Sequence, residues 1–133
     1  MNLKKLAGIV LLGIVAITLL GAVSAATITI SGEKFNIPEG YEEDESLAES
    51  LPGGISVTES RVLVNGDKNI TINVLTLNMN GSFGVEKEDG DVPKTVKGIS
   101  GYYNKDDRSF SCRMNNSIVT IFADEGEFEK III

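Results

Sequence analysis

Nearly all the side chains here that can do chemistry are carboxylates. The 133 residues carry 19 Asp and Glu against 12 Lys and Arg, with no His, no Trp and one Cys. Without an imidazole, and with a lone thiol, the chain holds no Ser-His-Asp or Cys-His nucleophile. It also has no Cys/His zinc set and no C-x-x-C-H haem attachment. Two kinds of carboxylate chemistry remain: binding a hard cation such as Ca²⁺ and hydrolysing a glycan between two acids. The run Glu42, Glu43, Asp44 and Glu45 reads as the solvated start of an element. Asn65-Gly66-Asp67-Lys68-Asn69 mimics the first half of a calcium loop, but Ile70 stands where that loop needs Gly and Thr76 where it needs Glu, so it reads as a hairpin turn. Glu88, Asp89 and Asp91, gathered around Gly90, are the best metal candidates of the set. A glycan-cleaving pair is the weaker reading of the acids, because three Tyr and no Trp supply little aromatic surface to hold a sugar. Ser31 and Lys34 match S-x-x-K, yet the S-D-N and K-T-G partners of penicillin-recognising enzymes are missing.

Other side chains are candidates for recognition or modification. Tyr102 and Tyr103 point to opposite faces of any strand that carries them, so one enters the core and the other reaches its rim or a ligand. Cys112 alternates in phase with Phe110 and Met114, which predicts a buried, inert thiol. Sequons at Asn69, Asn80 and Asn115 fall at expected turns and are possible N-glycosylation sites.

The elements that must position these residues follow an export segment. Lys4 and Lys5 precede an apolar run from Leu6 to Leu20, and Val23 and Ala25 are small enough for a signal-peptidase site. Residues 1–25 are therefore expected to be a signal peptide cleaved after Ala25, or a membrane anchor, since residues 6–23 span about 27 Å at 1.5 Å per residue. A pilin-type signal cut near Gly8 is disfavoured because no Glu sits early in the apolar run. Each reading puts residues 26–133 outside the membrane as one domain. That domain has 10 basic and 19 acidic side chains, a net charge of −9, which leaves no basic stripe for nucleic acid.

Within 26–133, Thr27 to Ile30 and Phe35 to Ile37 read as a short hairpin, and Pro38-Glu39-Gly40 as a turn delivering Tyr41. Leu47, Ala48 and Leu51 predict a short helix over Glu42 to Leu51, stopped at Pro52-Gly53-Gly54. Alternation over Arg61 to Val64 and Ile70 to Leu77 predicts a second hairpin with one wet face. Asn78 to Pro93 reads as a long loop. Strands are expected over Val96 to Tyr103, Ser109 to Met114 and Ile118 to Ala123. Asp124 to Glu127 has capping-box spacing before an apolar stripe of Phe128, Ile131 and Ile132. The fold expected is α+β: a single antiparallel sheet of five to seven strands with a C-terminal helix packed on one face, preceded by the N-terminal apolar helix.

The series from Gly32 through Pro38 to Tyr41, the stretch Thr95 to Tyr103, and the final strand followed by a short helix together resemble small exported proteins of methanogenic archaea. More distantly they resemble PsbP-like domains, which open on a strand ending in an Ile-Pro-Gly-aromatic turn; Tyr41 stands where Trp is usual. The resemblance implies an exported antiparallel sheet domain, not a reaction. The function expected is that of a non-enzymatic extracytoplasmic or cell-surface binding domain, with no cofactor. Its partner would be a protein, an envelope polymer or a small ligand, and it would touch the membrane only through its N-terminal segment. The alternatives are an anchored or pilin-like structural subunit and a small carboxylate-dependent hydrolase.

Overall fold

The structure, a computed structural model, describes residues 26–77 and 84–133; the expected signal or anchor over 1–25 lies outside them. Thr27–Ile30 (β1) and Glu33–Asn36 (β2) pair antiparallel. Ser31 and Gly32 turn the chain between them, both at positive φ (50° and 85°), which matches the twist of a two-residue hairpin. Glu42–Glu43 (β3) and Glu49–Pro52 (β4) pair in succession along the long strand Ser56–Asn65 (β5), which pairs in full with Lys68–Leu77 (β6). Asp91–Val96 (β7), Ile99–Asn104 (β8), Ser109–Met114 (β9) and Ser117–Phe122 (β10) form a meander whose last strand lies beside β6. The main sheet runs β3-β5-β6-β10-β9-β8-β7 with β4 also on β5, eight strands rather than the expected five to seven, and β1–β2 form a separate two-stranded sheet where a single sheet was expected.

One face of this sheet is dry. Leu63, Ile70, Ile72, Val74, Phe110 and Cys112 are fully enclosed there, together with Val119 and Ile121. The β1–β2 hairpin lays Ile28, Ile30 and Phe35 over them, and the C-terminus adds Phe128, Ile131 and Ile132. Phe128 meets Tyr103 edge-on at 5.9 Å between ring centres and Phe110 at 5.6 Å. Burial of each such side chain stabilises the fold by about 1.5–3 kcal/mol.

Four local expectations are corrected. Over Glu42 to Leu51 there is no helix, but β3, a 3₁₀ turn at Glu45–Leu47 and β4. Leu47 and Leu51 are exposed, so a helix there would bury no stripe, whereas the open edge of β5 offers ladder hydrogen bonds. The single strand expected over Val96 to Tyr103 is two, β7 and β8, joined at Lys97 and Gly98 with φ of 51° and 84°. Pro93 falls inside β7 rather than ending a loop, which is tolerated because β7 is an edge strand. The capping box at Asp124 is not formed: its side chain makes no cap hydrogen bond and instead pairs with Arg108 at 2.6 Å. The helix that follows is one turn, Phe128–Ile131 (α1), and Ile132 leaves it to bridge Phe35.

Candidate functional site

One connection joins β6, in the middle of the sheet, to β7 at its edge, and β10, β9 and β8 stand between the two strands. Its described part, residues 84–90, lies on the outer face, the one that turns away from the core. Between this arm and the sheet is a cavity of about 450 Å³.

Asn104 fastens one end of the arm. Buried at the end of β8, it donates from Nδ2 to the Asp89 carbonyl at 3.2 Å and to Asp91 Oδ1 at 3.0 Å. Its Oδ1 accepts from the Asp107 backbone N–H at 2.9 Å. One amide thus ties the arm's exit to the turn before β9. Asp91 Oδ2 accepts from the Glu88 N–H at 2.9 Å. That backbone N–H, and then the Asn104 amide, hold the Asp91 carboxyl below its ordinary value. Gly90, at φ 87°, makes the bend; a Cβ there would lie 3.3 Å from Asn104 Nδ2.

The floor follows from strand alternation. Opposite the core residues Phe110 and Cys112, β9 presents Ser109 and Ser111; opposite Val119 and Ile121, β10 presents Ile118, Thr120 and Phe122. Ser111 and Thr120 face each other across the ladder with hydroxyls 3.1 Å apart, and farther along the same row Ser60 donates to Asn73. Ser109 differs from these. It is 8% exposed, and among the described residues no group hydrogen-bonds to its hydroxyl. Glu86, Glu88, Asp91 and Asp107 also border the cavity, and no Lys or Arg is among its described walls.

Of the sequence candidates, Glu88 and Asp91 come to this cavity. Asp89 contributes its carbonyl to Asn104. Among the described residues no three His, Cys, Asp or Glu side chains gather around one point as metal ligands do, and both Asp91 oxygens already accept N–H donors. Asp44 instead caps the 3₁₀ turn through Ser46 N (3.1 Å) and Oγ (2.6 Å). Asn69 is exposed but lies in β6 rather than at a turn, paired with Val64; Asn115 is exposed at the β9–β10 turn, where its Nδ2 reaches both Glu33 oxygens at 3.0 and 3.2 Å; Asn80 lies outside the described residues. Tyr103 enters the core edge, and Tyr102 faces outward beside Val85, Pro93 and Arg113. Tyr41 packs against the core, and its phenol is raised first by burial and then by Glu127 and Asp124. Cys112 is enclosed and raised to about 12 by burial, which removes it as a nucleophile. The serines and threonine of the floor were not singled out by sequence reading: polar residues alternating with apolar ones look like any solvated strand face.

A second acidic groove, between β1 and β3–β4, is lined by Glu43, Glu45, Glu49 and Glu59. Arg61 sits in it, 3.4 Å from Glu43 and 4.0 Å from Glu59, and Ser31 Oγ donates to Glu59 at 2.6 Å. Its charge is partly compensated from within by Arg61. Compared with known proteins, the chain matches no family model, no curated protein and no solved structure.

Proposed function

We propose that this chain is an exported, non-enzymatic binding domain whose site is the cavity beneath the 84–90 arm. The observation that carries the binding reading is the buried, unpartnered Ser109 hydroxyl bordering a cavity of about 450 Å³. A hydroxyl without a protein partner on the wall of a cavity is free to bond a ligand that enters it. Export is supported by the basic start, the apolar run and the small residues at Val23 and Ala25. The non-enzymatic reading is supported by two groups displaced, one away from thiolate nucleophile use and one away from general-acid use. The Cys112 thiol is raised to about 12, and Asp91 is held low, the opposite of what a general acid requires. The PsbP-like likeness belongs to this proposal as well, supported by the hairpin that runs through Ile37 and Pro38 to Tyr41 at the core.

Fractionation of the host, followed by amino-terminal sequencing of the recovered protein, tests the location. A chain starting at Ala26 in the medium or wall fraction is expected. A chain starting at Met1 in the cytoplasm overturns export, and one retaining residues 6–23 in the membrane fraction replaces release by anchoring.

A further inference from the structure

The charge and size of the cavity point beyond binding in general to a class of ligand. Four carboxylates border it, from Glu86, Glu88, Asp91 and Asp107, and its described walls contain no basic side chain. A volume of about 450 Å³ is room for roughly fifteen water-sized groups at ~30 Å³ each, far more than a bare metal ion fills. The acids do not converge on one point; they are spread over the arm, the start of β7 and the turn before β9. Between them the surface is apolar, from Val85, Ile118 and Phe122, and crossed by the hydroxyls of Ser109, Ser111 and Thr120. Inorganic cations gain nothing from the apolar floor, and an uncharged ligand would leave the carboxylates' field unused. A molecule with a hydrocarbon body and cationic ends uses both.

We propose that the cavity beneath the 84–90 arm binds an aliphatic ammonium ion, its methylene chain on Ile118 and Phe122, one ammonium on the Ser109 hydroxyl and the charge shared among the bordering carboxylates. This rests on the cavity being the binding site. Ser109 is the selective element, because its hydroxyl, which no described group occupies, has lone pairs that accept from an ammonium group. The second acidic groove, with Arg61 already inside it, serves as the internal control.

The experiment is a titration of the full chain, in nonionic detergent at about 0.1 M salt, followed by backbone amide shifts and calorimetry. The probes are spermidine, a Lys-Ala-Lys peptide, Ca²⁺ and the neutral 1,8-octanediol. Saturable one-to-one binding of spermidine or the peptide is expected, with shifts at Ser109, Ser111 and Thr120 and none of comparable affinity with Ca²⁺ or the diol. Ser109→Ala should weaken the amine about tenfold, as loss of a hydrogen bond to a charged group does, while Glu49→Gln in the second groove leaves it unchanged. Glu86→Gln, on the exposed arm, gives the same readout if Ser109→Ala does not fold. Tighter binding of the peptide by tenfold or more assigns the ammonium to a protein side chain; tighter binding of spermidine assigns it to a free amine. Equal losses in the Ser109 and Glu49 variants would mean a nonspecific counterion atmosphere and overturn the proposal, as would tighter binding of Ca²⁺. Binding of the diol at the same resonances overturns the ammonium assignment yet keeps the cavity as a binding site, whereas no shift there with any probe removes both.

Discussion

At the scale of single residues the fold separates the groups it spends on structure from those it leaves available. Cys112 belongs to the first kind. Its thiol ionises at an ordinary value of 9.0 when exposed and at about 12 in the folded chain, so its contribution to stability is intact below pH 9 and drains away as the pH climbs toward 12. Two outcomes follow: at pH 8 a disulfide-exchange reagent should label the protein no faster than it opens, and Cys112→Ala should flatten the alkaline limb of the stability curve. Asp91 works in the other direction. Its folded value lies below 3.8, so the tie it makes between Glu88 and Asn104 persists above that pH and is lost as the pH falls through the lower, folded value. A carboxyl carbon titration by NMR should place its midpoint below 3.8, and Asn104→Ala, which removes one of the two donors, should move it back up.

At the scale of elements, Gly101 shows how closely the sheet is packed. It sits in β8 beside β9, and a Cβ there would collide with the Ser111 carbonyl and approach Cys112 Cβ and Phe110 Cζ to 3.0 Å. Since a backbone atom must move, Gly101→Ala should cost about 3 kcal/mol or more in chemical denaturation. Phe128→Ala, which empties the space between Tyr103 and Phe110, should cost about 3–5 kcal/mol. These elements differ in how far they could be read in advance. The β5–β6 hairpin was legible because Asn65 and Gly66 signal a tight turn between alternating runs, and β9–β10 because Asn115 tolerates its φ of 55°. The β7–β8 turn was not, because Lys97 carries no such signal and takes a φ of 51° only under the constraint of the paired strands. The stretch Glu42 to Pro52 was misread because helical spacing was visible while the unpaired edge of β5 was not. The site suffered in the same way: Glu88 and Asp91 stood out as acids, but the placement of β10 beside β6, which brings Thr120 and Ser109 under the arm, is a long-range pairing that no local pattern announces.

At the scale of the whole molecule, a sheet with two ends must avoid pairing with a copy of itself. At one end β3 and β4 are short, interrupted by the 3₁₀ turn, and carry Glu42, Glu43 and Glu49 with Pro52 closing the edge. A second copy meeting this end would bring like charges together. At the other end β7 is six residues long with Val92 exposed, and it is the more dangerous of the two. Pro93 is what protects it: a proline is compatible with an edge strand where its nitrogen faces the open side, and it offers an incoming strand no donor there. Pro93 pairs with Tyr102 on its inner side, so replacing it with Thr keeps the ladder while restoring that donor and raising the local β propensity. Pro93→Thr should therefore leave the unfolding midpoint within about 0.5 kcal/mol of the parent but shift sedimentation toward dimers and larger species with rising concentration. Adding Val92→Lys should reverse that shift, because a charge on the same edge repels the copy that the restored donor invites. If Pro93→Thr stays monomeric while remaining folded, the edge is protected by the molecule's net negative charge instead, and the self-association would emerge only at high salt, where that repulsion is screened.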